Sequence, residues 1–510
     1  MAWLHTWAGL VPGWVLFLVF LFGTTAFFQQ EASRWMRPEL GNSAVTVPAL
    51  DAATAFLAAR APGGASWDIS LPSARGGDPI TVSWEPIAGS GGEAGRVRLD
   101  PTTGREIAAR DTLGGWFLYR FHYDLHYMPW WLARYIVCVA ALAMLVAILS
   151  GIVTHKKIFA DFFLLRFGKG QRSWLDAHNV AGVLALPFHL MITYTGLVTL
   201  LFTLMPWAIS ANFPSEGAFY EAAYPPSPKI EASGRAAPLL PLPALLARAG
   251  FDARDGMPGY ISISHPSDAA SVVTIYPGRN RLGGDSRALY LSGVTGELLQ
   301  APRGAGPATA TYDVMIDLHT GLFAGPVLRW LYFLSGVGGT AMIATGLVLW
   351  TVKRRAKLPD PTRPRFGFRL VERLNIGVIA GAPAGIAVYF LANRLLPVGL
   401  DHRADWEVNS LFIAWGALFV WTLARPAQRA WIEALAACAI FYALVPIVSA
   451  LTTARGLIPS LIAHDWVFVG FDLTMLATGA AFAFAARKVA SHKPKAVPGR
   501  KARELVEATT

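Results

Sequence analysis

The run Leu4-His5-Thr-Trp-Ala-Gly9 opens an apolar stretch that continues to Phe28, and Ala177-His178-Asn-Val-Ala-Gly182 opens another that continues to Leu204. In each, the histidine is followed by a glycine four residues on and by a second, Gly23 or Gly196, eighteen residues on. The sequence repeats itself. Further along, Asp124-Leu125-His126 precedes the next apolar stretch of the first copy, and Asp317-Leu318-His319 precedes that of the second. Arg134 to Gly151 and Arg329 to Gly346 both span seventeen residues. Residues 1–355 therefore read as a tandem duplication of helix, polar segment and helix. Both copies enter in the same direction, so a pseudo-two-fold axis is expected along the membrane normal, and residues beyond 355 carry no further copy.

The composition places the chain in a bilayer. Of 510 residues 54% are apolar and only 15% charged, with a mean hydropathy of +0.41, which excludes a soluble enzyme. A span needs about 20 apolar residues. Eight segments qualify, roughly 4–28, 130–154, 179–204, 327–352, 375–396, 409–424, 431–451 and 465–486. The fold class expected is thus an α-helical integral membrane protein of about eight transmembrane helices. The first span has neither a basic leader nor a small-x-small cleavage site and reads as a retained helix. Basic residues cluster after span two (Lys156, Lys157, Arg166, Lys169, Arg172), after span four (Lys353, Arg354, Arg355, Lys357) and in the tail. That pattern sets those loops and both termini in the cytoplasm and accounts for the net charge of +11 without nucleic acid. Cys138 and Cys438 lie inside apolar runs and read as small buried hydrophobes.

The same topology puts two polar segments outside, in the periplasm where the cell has one. Each starts with a helical stretch, at Leu50 or Leu242, and continues with strand-like runs. Trp67–Leu71, Ile80–Trp84 and Arg96–Leu99 have counterparts in Tyr260–Ser264, Ser271–Tyr276 and Ala288–Leu291. Both close on a Thr-Gly turn, with Gly104 and Gly296 at the position that tolerates positive φ. The organisation expected is residues 1–30 as span one, 31–122 as a small outer α+β domain, and 123–204 as spans two and three with their loop. Residues 205–315 form a second outer α+β domain, 316–357 span four, 358–488 a four-helix membrane module, and 489–510 a basic tail.

The chemistry is carried by histidines. Six of the eleven, His5, His126, His155, His178, His189 and His319, sit in or at the edges of the first four spans, where ionisable groups are functional candidates. His178 and His189 lie eleven residues apart, about 16 Å of rise on one face of a straight helix. That arrangement lets one helix supply an axial ligand at each of two levels, as b-type haem requires. The levels assign only in part. His5, His155 and His178 lie near the cytoplasmic face and His126 and His319 on the outer side. For His189 either helix ends dip inward to meet it, or it binds from one side alone. Glycines 9, 23, 151, 182, 196 and 346 suit the close approach of a flat macrocycle and equally suit helix packing. His122, His265, His402, His464 and His492 read as loop or tail residues, and Asp472 in span eight is unassigned. The aromatic cluster of Trp116, Tyr119, Phe121, Tyr123, Tyr127, Trp130 and Trp131 reads either as a docking surface for an apolar chelate or as the interfacial belt of span two.

As a set, the His-x-x-x-Gly openings, the glycines at the span ends, the Asp-Leu-His motifs and the paired outer domains resemble the bacterial PepSY-associated transmembrane proteins, over residues 1–355. Better-understood members of that group act as inner-membrane ferric-siderophore reductases. The resemblance implies PepSY-like outer domains, one or two haem b groups in the four-helix core, and one-electron reduction of iron delivered as a ferric siderophore or similar chelate. His178, His189, His319 and His126 are the axial-ligand candidates. With no flavin or nicotinamide fingerprint in the sequence, the electron donor is external, a quinol or a cytoplasmic reductase. Two other classes compete. One is a permease for the siderophore or its iron through the last four spans, the other a sensor or regulatory protein whose helices only anchor its outer domains.

Overall fold

The computed structural model describes residues 2–40, 45–72, 78–154, 165–223, 228, 230–251, 257–278, 281–283, 287–300, 306–360 and 363–492. The first span is two helices, α1 (Ala2–Leu10) and α2 (Gly13–Ala26), bent by 62°. Pro12 stands at the break, where it has no amide to give and crowds the preceding turn. The third is likewise broken, between α7 (Gln171–Leu184) and α8 (Leu186–Thr199), by 69° beside Pro187. Between them run α3 (Gln29–Trp35), α4 (Val47–Arg60), strands β1 (Gly64–Ser70), β2 (Ile80–Pro86) and β3 (Gly95–Leu99), α5 (Gly114–Asp124) and the second span, α6 (Trp130–Thr154).

After α8 come three short helices, α9 (Leu201–Leu204), α10 (Trp207–Ser210) and α11 (Glu216–Ala223), then α12 (Leu242–Arg248). Strands β4 (Tyr260–Ser264), β5 (Val272–Tyr276), β6 (Leu289–Ser292) and β7 (Leu298–Gln300) follow, then α13 (Pro307–Thr320) and the fourth span, α14 (Pro326–Arg355). The C-terminal helices are α15 (Phe366–Ile379) with α16 (Gly381–Leu395), α17 (Arg403–Leu423), α18 (Ala427–Thr452), α19 (Leu457–Ile462) and α20 (Trp466–Ala490). Six helices are long and apolar enough to cross a bilayer, eight spans if each bent pair is one. The chain is a multi-pass membrane protein.

The two polar segments contain the expected helices and strands, and Gly104 and Gly296 have φ of 67° and 71°. They are not two separate domains, however. Strand β1 pairs antiparallel with β4, Trp67 opposite Ile263 and Ile69 opposite Ile261, so all seven strands form one sheet of order β3-β2-β1-β4-β5-β6-β7. Leu50 and Leu57 of α4 and Leu242 and Leu245 of α12 share a single core with Ile69, Val82, Ile261, Ile263 and Val273. Joining the strands hides two edges and completes an apolar layer that three strands alone leave thin. Across the seam the Tyr260 hydroxyl donates to Asp68 at 2.6 Å. Burial first, and then that carboxylate, raises the phenol's pKa.

The C-terminal helices are not a separate module either. Tyr389, Phe390, Phe468 and Tyr442 share a core with Phe22 of α2, Trp35 of α3 and Phe117, Leu118 and Phe121 of α5. Polar groups reinforce the contact. Arg34 pairs with Asp465 at 2.7 Å, Arg455 reaches the same carboxylate at 2.9 Å, and Asp472, unassigned from sequence, accepts the Trp35 indole N–H at 3.0 Å. Glu407 pairs with Arg403 and accepts from Thr112 at 2.5 Å and Asn393 at 2.7 Å. Arg403 also donates to the carbonyls of Asp111 at 2.8 Å and Asn393 at 2.6 Å. Arg403 and Glu407 are fully buried, so Arg403→Leu strands an unpaired carboxylate. It is expected to destabilise the protein by about 3–5 kcal/mol, read as a lowered midpoint in thermal or denaturant unfolding in detergent. A midpoint equal to that of the unaltered protein overturns this reading of the pair.

Candidate functional site: two histidine pairs

Four histidines meet in two pairs. His5 on α1 faces His178 on α7 with ring centroids 6.2 Å apart, and His122 on α5 faces His319 on α13 at 6.0 Å. One local device holds all four. His122 Nδ1 bonds to the carbonyl of Val19 at 2.6 Å, His319 Nδ1 to Ile192 at 3.1 Å, His5 Nδ1 to Ala147 at 2.9 Å and His178 Nδ1 to Met342 at 2.8 Å.

Four residues after each carbonyl stands a glycine, Gly23, Gly196, Gly151 and Gly346. Positions i and i+4 are stacked neighbours on one face of a helix, so the missing side chain exposes the carbonyl below it to a donor from the next helix. A Cβ built on Gly23 falls 2.6 Å from the His122 ring and one on Gly196 2.9 Å from that of His319. On Gly151 and Gly346 it falls 3.2 Å from His5 and 3.1 Å from His178. These four glycines make room for imidazoles. Gly9 has nothing within 4 Å and Gly182 meets only Met342.

A carbonyl can only accept, so each of these Nδ1 atoms carries the proton and each Nε2 keeps its lone pair. That is the tautomer in which histidine binds a metal, oriented by a backbone carbonyl as outer-shell partner. The His122–His319 pair opens on a cavity of about 520 Å³ lined also by Phe20, Thr24, Trp116, Tyr119, Tyr123 and Arg134. No group of three or more His, Cys, Asp or Glu side chains that could hold a metal ion occurs among the described residues. The nitrogen donors come in twos.

Three of the six histidines singled out from sequence, His5, His178 and His319, are in these pairs. His155 lies outside the described residues. His126 is not at the site: its ring stacks on Phe412 of α17 at 5.4 Å and 12°. The Asp-Leu-His motif matches His126 to His319 in sequence, whereas the structure brings His122 to His319. His122 precedes Arg134 by twelve residues where His319 precedes Arg329 by ten. Leu125 and Tyr127, at φ of 51° and 57°, take up the difference. Asp124 and Asp317 also differ in partner, the first bound to Arg134 at 2.7 Å and the second accepting from the Gly283 amide at 2.9 Å.

His122, which reads as a loop residue in the sequence, therefore takes the place expected for His126. Counting back from Arg134 with a two-residue insertion allowed is the signal that finds it. His189 does not share a face with His178, because the helix breaks at Ala185 between them. Its Nε2 lies 3.2 Å from the Ser335 carbonyl, with Gly339 four residues on, and its ring neighbours are Phe20 and Phe188. Of the aromatics near span two, Trp116, Tyr119 and Tyr123 line the cavity beside His122 and His319, while Tyr127 packs with His126 and Phe412.

The fold and these pairs define a polytopic membrane protein whose opening helices present matched, pre-oriented imidazoles. Residues 2–353 match the family of the PepSY-associated TM region, and the chain belongs to that family. It is also similar to an uncharacterized protein of Pseudomonas aeruginosa, 28% identical over 365 residues that cover 68% of this chain and 88% of that one.

Proposed function

We propose that the protein is a haem-containing reductase of the bacterial inner membrane that passes electrons outward to a ferric siderophore or similar iron chelate. The observation that carries this reading is the pair geometry. The rings of the two pairs stand 6.0 and 6.2 Å apart between centroids, close enough for both imidazoles of a pair to hold one metal ion. A porphyrin iron brings four nitrogens and asks the protein for two, which fits donors that come in twos. When bound, haem b supplies reversible one-electron chemistry. The residues of this chain do the rest. His5 with His178 and His122 with His319 would hold the group, the four carbonyls would fix their tautomers, and the apolar walls of the cavity beside His122 and His319 would keep water from it.

His122 and His319 stand near the ends of α5 and α13, the helices that follow the polar segments, and the reading takes this pair as the outer one. A one-electron reduction of Fe(III) to Fe(II) there weakens the hard oxygen ligation of the chelate and releases the metal, and the donor on the inner side is a quinol or a cytoplasmic reductase. This reading takes residues 1–355 as two copies about a pseudo-two-fold axis, with both termini in the cytoplasm and the seven-stranded sheet as a pair of PepSY-like units in the periplasm. The test is the visible spectrum of the purified protein, oxidised and dithionite-reduced. Sharp reduced bands of a six-coordinate low-spin iron, reoxidised by added ferric chelate as Fe(II) appears, are expected. A colourless protein purified from haem-supplemented cells sinks the reading. Reporters inserted near Gly91 or Gly283 are expected to read as external and one at Gly168 as cytoplasmic, and the reverse would overturn the direction of electron flow.

A further inference from the structure

Helix α5 has two faces. Phe117, Leu118 and Phe121 pack into the core built by the C-terminal helices, with Phe117 against Tyr389 at 5.3 Å and Phe121 against Phe412 at 5.7 Å, while Tyr119, His122 and Tyr123 face the outer cavity. Its first turn is capped from outside the helix. The Gly114 amide donates to Thr112 Oγ1 at 3.0 Å and the Gly115 amide to Ser33 Oγ of α3 at 2.9 Å. Thr112 in turn donates to the buried Glu407 of α17, and the Tyr389 hydroxyl of α16 donates to the Gly114 carbonyl at 2.9 Å. A Cβ on Gly115 would collide with the Gln29 carbonyl oxygen, so no side chain fits between α5 and α3.

The opposite ligand is held differently. Leu318, next to His319, gives its carbonyl to Tyr332 of α14 at 3.0 Å, and Asp317 accepts from Gly283. Those partners all lie within residues 2–353.

We propose that the C-terminal helices α15–α20 serve as the positioning scaffold for His122, with Tyr389 and Glu407 as positioning residues that act through Thr112 and the first turn of α5. The function of the outer pair rests on the haem reading above, but the positioning does not. Loss of one such bond lets α5 shift along its axis, and the tie between His122 and the Val19 carbonyl then opens more often.

The test uses the full-length protein in detergent, as Tyr389→Phe, Thr112→Val and Thr112→Ser, with haem removed and diethyl pyrocarbonate as probe. The rate of modification of each histidine is followed by mass spectrometry. Tyr389→Phe and Thr112→Val are expected to raise the rate at His122 by about 3–10-fold, the span of one lost hydrogen bond, and to leave His5 and His178 unchanged. Thr112→Ser, which keeps the hydroxyl, is expected to stay at the unaltered rate. Equal rises at His122 and His178 would mean general loosening and overturn the proposal, as would no change at any histidine. Haem-loaded samples give an independent reading, in which only the signature of the outer pair should broaden or fall. If the isolated protein binds no haem at all, the haem reading fails while the modification rates still decide the positioning.

Discussion

His122→Ala is expected to halve the haem content of the purified protein, from about two groups per chain to about one, and His319→Ala to do the same. His5→Ala and His178→Ala should each remove the other group, so that His122→Ala combined with His178→Ala yields an almost colourless protein. On the proposed reading each pair would share a single metal position. A lone imidazole offers a five-coordinate iron that is weakly held and no longer low-spin. His126→Ala and His189→Ala, by contrast, should keep the full haem content, because His126 stacks on Phe412 and His189 has no second imidazole in ring contact among the described residues. Haem per protein, measured by the pyridine haemochrome method for each variant, decides the assignment. Retention of both groups in His122→Ala with loss of one in His126→Ala would return the ligand role to the Asp-Leu-His motif and refute the pairing.

The second large effect separates the site from the helix that carries it. Gly23→Ala places a methyl group 2.6 Å from the His122 ring, and Gly196→Ala places one 2.9 Å from that of His319. Neither ring can retreat without giving up its carbonyl. In an isolated helix the same change is favourable by about 0.8–1.0 kcal/mol, which offsets only part of the roughly 1–3 kcal/mol lost when the carbonyl and the imidazole are left without a partner. The expected result is loss of the group held by His122 and His319, about half of the total haem, with an unfolding midpoint lowered by no more than a few degrees. Gly9→Ala, with open space around the new methyl, should leave haem content unaltered. If Gly23→Ala binds haem as fully as Gly9→Ala does, the glycines serve helix packing and the cradle is not what holds His122.

Much of the architecture is legible in the residues themselves. The six to eight candidate spans follow from hydropathy, because twenty apolar residues in a row have few other places to go. The strands of the polar segments follow from alternation, and the turn glycines from the φ that only they adopt at no cost. His5, His178 and His319 are visible as ionisable residues in apolar surroundings, and the span glycines as a set of six, though not as the four that lie one turn beyond a carbonyl.

What the tertiary structure decided is what depends on distant segments crossing. The edge pairing of β1 with β4 joins residues almost two hundred positions apart, and nothing local in either strand prefers that neighbour to solvent. His122 and not His126 faces His319 because α5 ends at Asp124 and the chain turns at Leu125 before His126, and a motif comparison by identity does not count rotation. His178 and His189 part because Pro187 breaks the helix that a spacing argument takes as straight. The cradles themselves join a glycine on one helix to a histidine on another. The sequence alone determined that this protein spans a membrane and carries imidazoles within it. Which imidazole faces which was decided by the packing of helices, since only contact across helices can bring two rings to about 6 Å.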